Sequence, residues 1–104
     1  MRIYNKLIRD KIPEIIEKSG NKAVVEKVGA EEYIKLLNEK LDEELKEYLE
    51  SHETEELADM VEIIYAILDY KHVPMEKFES IRKRKADERG AFRERLLLKA
   101  VIEK

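Results

Sequence analysis

The segment from residue 57 to residue 68 constrains the fold more than any other part of this chain. Ten of its twelve residues are apolar, and the exceptions are Asp59 and Glu62. A helix that is apolar nearly all round must be covered on several sides. The rest of the 104 residues contains few other apolar stretches. We therefore expect a homodimer or a higher oligomer such as a homotetramer, with this helix in a shared core.

The composition indicates a helical chain. Charged and hydrophobic residues each make up 43% of the sequence, which contains only three glycines and two prolines. Such a Glu-, Lys- and Leu-rich composition favours helices. We predict one all-α domain over residues 1–104, a helical bundle built on an antiparallel helix hairpin and completed by oligomerisation.

Composition also excludes several classes of protein. Without cysteine, the chain can form neither a disulfide, nor a thiolate nucleophile, nor a zinc–cysteine site. The sequence shows no signal peptide, no long apolar span and no lipidation motif. We expect a cytoplasmic protein with no membrane partner.

The helix boundaries follow from the turn-forming residues. Pro13 fits the first turn of a short helix that runs to Ser19. Residues 22–28 are valine-rich and predict a short strand or an extended connector. Residues 51–54 predict a tight turn in which Thr54 caps the following helix. Longer helices are predicted over residues 31–50, 55–71 and 75–89.

Two acidic pairs flank that tight turn. Glu44 and Glu47, like Glu56 and Asp59, are spaced i, i+3 and share a helix face. Apolar residues surround both pairs, and carboxylates that crowd toward a core repel each other and are costly to desolvate. A divalent cation would neutralise them, and oxygen ligands select Mg²⁺ or Mn²⁺, with Ca²⁺ less favoured.

The hairpin would bring the two pairs together. Counted from the turn, the positions of Glu44 and Asp59 along the two antiparallel helices are offset by about two residues, or roughly 3 Å along the helix axes. A chain with 24 acidic residues also forms such pairs by chance on solvated faces. The histidines of the chain are His52 and His72, and we expect both at the surface or at helix ends. Neither follows the acidic pairs in the Glu-x-x-His spacing of a ferritin-like di-iron site, which excludes that kind of site.

Charge is unevenly distributed along the chain. Residues 39–62 carry eleven acids and two bases, whereas residues 77–104 carry ten bases and five acids. An acidic centre with basic flanks suits a metal together with a polyanion such as a polyphosphate. The alternative is that opposite charges simply pair on the surface.

The acidic motifs resemble those of the all-α nucleoside triphosphate pyrophosphohydrolases, the MazG-like superfamily. Its pattern is Glu-Glu-x-x-Glu, a spacer and Glu-x-x-Asp, which corresponds here to residues 43–47 and 56–59. Residues 4–16 are similar to the opening motif of one MazG-like branch. Residues 85–92 are similar to its Lys-x-x-x-Arg-Gly-Gly-Phe element, with Ala91 at the second glycine.

This resemblance implies a Mg²⁺-dependent hydrolysis of a nucleoside triphosphate at the α–β bond, which yields a monophosphate and pyrophosphate. It implies that the metal holds triphosphate oxygens and lowers the pKa of a bound water. Glu43 or Glu47 would be the catalytic base. The implied metal ligands are Glu44, Glu47, Glu56 and Asp59.

Basic residues would offset the charge of the substrate. Lys85 and Arg89 are spaced i, i+4 and are followed by a glycine, which suits contacts to phosphate oxygens. Lys6, Arg9 and Lys11 are further candidates from the N-terminal segment. The alternative is that all five are solvated or paired with acids.

Three other functions compete with this one. A phosphoribosyl-ATP pyrophosphohydrolase would run the same type of reaction, and residues 5–16 favour the MazG-like branch instead. A non-catalytic helical module could bind a nucleotide or a partner helix. Nucleic-acid binding through residues 82–85 is not expected, because the basic run is short and lacks aromatic residues.

Overall fold

The computed structural model describes residues 1–103, and across these residues it contains four helices and no strand. The all-α fold class is confirmed. The chain divides into two units, Met1–His72 and a second unit that starts at Val73. The helices are α1 (Ile12–Lys18), α2 (Ala30–Ser51), α3 (Thr54–Tyr70) and α4 (Met75–Arg89).

The two long helices α2 and α3 form the centre of the first unit. They pack against each other, and only His52 and Glu53 separate them in sequence. Near the start of α2 and the end of α3, the rings of Tyr33 and Tyr70 meet edge to face with their centroids 6.2 Å apart. This packing positions the acidic residues of both helices.

The turn between α2 and α3 is made by a histidine in the left-handed conformation. His52 has φ 58° and ψ 22°, and its backbone N–H donates to the Tyr48 carbonyl oxygen at 2.7 Å. The Glu53 N–H then donates to Ser51 Oγ at 3.1 Å. His72, just after α3, also has φ 58°. Both histidines are exposed and lie at helix ends, in agreement with the prediction.

Several predicted boundaries differ from the structure by a residue. The helix predicted to start after Thr54 includes it, so that Glu53 takes the N-cap position and makes no side-chain capping bond. The predicted cap at Thr54 is therefore wrong. Residues 21–29 form an extended connector, which resolves the choice between strand and connector. Proline stands in the first turn of α1, and α4 has the predicted bounds.

The apolar core of the described chain is small. Leu37, Ile63 and Leu68 are its buried hydrophobic residues. Many large apolar side chains of α2 and α3 are instead exposed. They are Leu45, Leu49, Leu57, Val61 and Tyr65. No helix among the described residues is long and apolar enough to cross a bilayer.

Candidate metal centre

Glu44 is the buried charged residue of the described chain, with 6% of its surface exposed. It follows the buried Leu37 by seven residues on α2, which is two helical turns, so both residues lie on the same face. That face packs on α3. The position is therefore buried by the same packing that forms the apolar core.

Carboxylates from both helices surround Glu44. Glu44 of α2 and Glu56 and Asp59 of α3 can each offer one oxygen within 4.8 Å of the others. Glu43, Glu44 and Glu47 of α2 can likewise each offer one carboxylate oxygen within 4.8 Å of the others. Oxygens on opposite sides of Mg²⁺ lie about 4.2 Å apart when each bond is about 2.1 Å long. Small side-chain movements would therefore bring either group to ligand distances.

Burial and the neighbouring carboxylates raise the pKa of Glu44 from 4.5 to about 7. Burial is the main cause, since it disfavours the charged form. Hydrogen bonds of its protonated form with Glu56 and Glu47 add to the rise, and so do the negative charges of Glu47 and Asp59. Glu44 Oε2 is buried and has no hydrogen-bond donor. An ionised Glu44 is therefore poorly compensated by the residues around it.

Two cationic side chains lie beside the acids. Arg9 Nη2 donates to Asp59 Oδ1 at 2.6 Å. Lys40 Nζ lies 3.7 Å from Glu44 Oε1, beyond hydrogen-bonding distance. Lys40 was not among the residues that we predicted for the site. Its i, i+4 spacing from Glu44 is the signal that identifies it.

The N-terminal segment brings part of the predicted phosphate-binding set to the acidic residues. Arg9 contacts Asp59 directly. Lys6 lines a cavity of about 50 Å³ together with Glu43 and Lys40. Lys11 is exposed at the N-cap of α1. These positions place Arg9 and Lys6, rather than Lys11, next to the candidate ligands.

The other predicted phosphate-binding residues belong to the second unit. Lys85 and Arg89 are exposed on α4, four residues apart and therefore on one face. Gly90 follows with φ 84°, a backbone conformation that suits glycine, and ends the helix as predicted. Their role toward a phosphate stays a prediction.

The carboxylates can act chemically in two ways. Buried Glu44, with Glu56 and Asp59, offers oxygen ligands to a hard cation. Glu47 is exposed one turn from Glu44, and Glu43 precedes Glu44 directly. The role of either residue as a base toward a water stays a prediction. Glu62, on the same helix as Asp59, is exposed and lies outside both groups.

Comparison of the chain with protein-family models, with curated proteins and with solved structures found no match. The resemblance of its motifs to the MazG-like superfamily therefore stays a prediction.

Proposed function

We propose that this protein is a Mg²⁺-dependent hydrolase that cleaves nucleoside triphosphates at the α–β bond, with Mn²⁺ as a possible substitute metal. The observation that carries the proposal is the buried Glu44 carboxylate, whose Oε2 atom has no hydrogen-bond partner, among the carboxylates of Glu47, Glu56 and Asp59. A protein core does not normally retain such a group without a compensating charge. A divalent cation supplies that charge.

In this proposal the carboxylates divide into metal ligands and a base, and Glu47 is a candidate for both roles. Glu44, Glu47, Glu56 and Asp59 would hold the cation, which would supply positive charge to the triphosphate oxygens and lower the pKa of water. Glu43 or Glu47 orients that water and accepts its proton. The water oxygen would bond to the α-phosphorus while the bond from that phosphorus to the bridging oxygen breaks. The carboxyl group would then hold the proton of the water, and pyrophosphate would leave with its negative charge offset by cationic side chains.

Cationic side chains would hold the polyphosphate. Arg9 and Lys6 support this role because they lie at the edge of the acidic cluster. Lys11, Lys85 and Arg89 are proposed on the sequence motifs alone. A guanidinium offers two parallel donors to phosphate oxygens, so Arg9 would contribute more to orientation than Lys6.

We further propose that α2 and α3 form an antiparallel hairpin whose apolar surface is covered in a homodimer or homotetramer. The two-residue connection and the contact between Tyr33 and Tyr70 support the hairpin. The exposed apolar residues Leu49, Val61 and Tyr65 of the two packed helices support the oligomer, because association would remove them from water.

The test of the proposed function is pyrophosphate release from canonical and modified nucleoside triphosphates and from phosphoribosyl-ATP, with Mg²⁺ and with EDTA. A Glu44→Gln/Asp59→Asn variant and a Glu62→Gln control run alongside. Metal-dependent pyrophosphate release that the double variant loses and the control keeps supports the proposal. Release of orthophosphate refutes cleavage at the α–β bond. Metal binding without turnover favours a non-catalytic nucleotide-binding module, and absence of metal binding refutes the site.

A further inference from the structure

The contact between Arg9 and Asp59 joins two parts of the chain that are 50 residues apart. Arg9 lies in the segment before α1, outside the helices, and Asp59 lies in the second turn of α3. The Nη2–Oδ1 distance of 2.6 Å is short for a hydrogen bond between a guanidinium and a carboxylate. The side chains are 56% and 37% exposed, so solvent and ions reach the pair.

Asp59 therefore has two possible cationic partners. Its carboxylate belongs to the group that can hold a metal with Glu44 and Glu56, and it also accepts from Arg9. A divalent cation on this carboxylate repels a guanidinium a few ångströms away. Since the other ligands come from the helix pair, whereas Arg9 comes from a segment outside the helices, Arg9 is the partner that can move away.

We propose that Arg9 is an intramolecular competitor of the metal, which pairs with Asp59 and is displaced when a divalent cation binds. This inference rests on the proposed metal site and adds an autoinhibitory contact to it. The exchange keeps the acidic cluster partly neutralised in both states. It also makes the guanidinium of Arg9 free to bind an anion only once the metal is in place.

The test measures Mn²⁺ affinity by electron paramagnetic resonance of the free ion, after metal removal with EDTA and dialysis. Four proteins are compared: the wild type, Arg9→Gln, Lys6→Gln and Glu44→Gln. Lys6 is the matched control, since it belongs to the same segment and its Nζ lies 5.4 Å from the Tyr4 ring centroid. Loss of an exposed ion pair predicts roughly two- to fivefold tighter Mn²⁺ binding by Arg9→Gln, and a smaller change for Lys6→Gln.

The outcomes separate this inference from the proposed function. If Arg9→Gln binds Mn²⁺ no more tightly than the wild type, or if Lys6→Gln gains as much Mn²⁺ affinity as Arg9→Gln, the proposed competition is refuted and the metal site is not. Binding by Arg9→Gln but not by the wild type supports the competition in its strongest form. If neither protein binds Mn²⁺, the metal site and the inference both fail. As a second readout, the Arg9 side-chain NMR signal should move on Mg²⁺ addition toward its position in an Asp59→Asn variant.

Discussion

Replacing Glu44 by glutamine should stabilise the protein at alkaline pH while it weakens metal binding. Glutamine has almost the same shape, carries no charge and can donate to Glu56 or Glu47. The side chain at this position is only 8% exposed, so solvent screens the change little. The variant therefore isolates the cost of ionising a carboxylate in the acidic cluster.

The magnitude follows from the pKa of Glu44, which is raised from 4.5 to about 7. Between these two values the folded protein binds a proton that the unfolded chain has released, so stability falls as pH rises. At about 1.4 kcal/mol for each pKa unit, the loss is on the order of 3 kcal/mol by pH 8. We expect Glu44→Gln to be roughly 3 kcal/mol more stable than the wild type at pH 8.

Urea unfolding followed by circular dichroism at 222 nm measures this difference in the presence of EDTA. The advantage of Glu44→Gln should be present at pH 8 and should nearly vanish at pH 4.5, where Glu44 is protonated in the folded state. Glu62→Gln, an exposed change on α3, should stay within about 0.5 kcal/mol of the wild type at both values. The reasoning would be refuted if Glu44→Gln were less stable than the wild type at pH 8, or if its free energy of unfolding differed from that of the wild type by the same amount at both pH values.

Further predictions concern the metal, the core, the turn and the apolar surface. Saturating Mg²⁺ at pH 8 should raise the Tm of the wild type, because binding to the folded state stabilises it, and calorimetry should show no such rise for Glu44→Gln. Leu37→Ala should cost about 2–5 kcal/mol in urea unfolding, since Leu37 is 3% exposed; a cost below about 1 kcal/mol would contradict its place in the core. His52→Gly should raise the free energy of unfolding by up to about 1 kcal/mol, because glycine adopts φ 58° without strain; destabilisation would show that its ring contact with Tyr48 matters more. Val61→Glu should shift sedimentation toward smaller species, and unchanged sedimentation would argue against an interface on this face.

Much of the fold was predictable from local sequence. Proline and glycine positions and the 3.6-residue apolar pattern gave the four helices to within a residue or two, because helix ends depend on local backbone preferences. Thr54 is the exception. Its hydroxyl predicts an N-cap before a helix that starts at residue 55, but α3 starts at Thr54 and Glu53 takes the N-cap position. The valine-rich connector has no neighbouring strand within the described residues, so its β-propensity is not realised.

The sequence by itself determined that acidic residues pair on helix faces, because i, i+3 spacing is a property of the helix alone. Only the tertiary structure decided that Glu44 is the buried carboxylate, since its burial depends on the packing of α2 against α3. The same holds for Arg9, which is distant in sequence from Asp59 and yet contacts it. Long-range contacts of this kind have no local signature, because they depend on where the connecting segment runs.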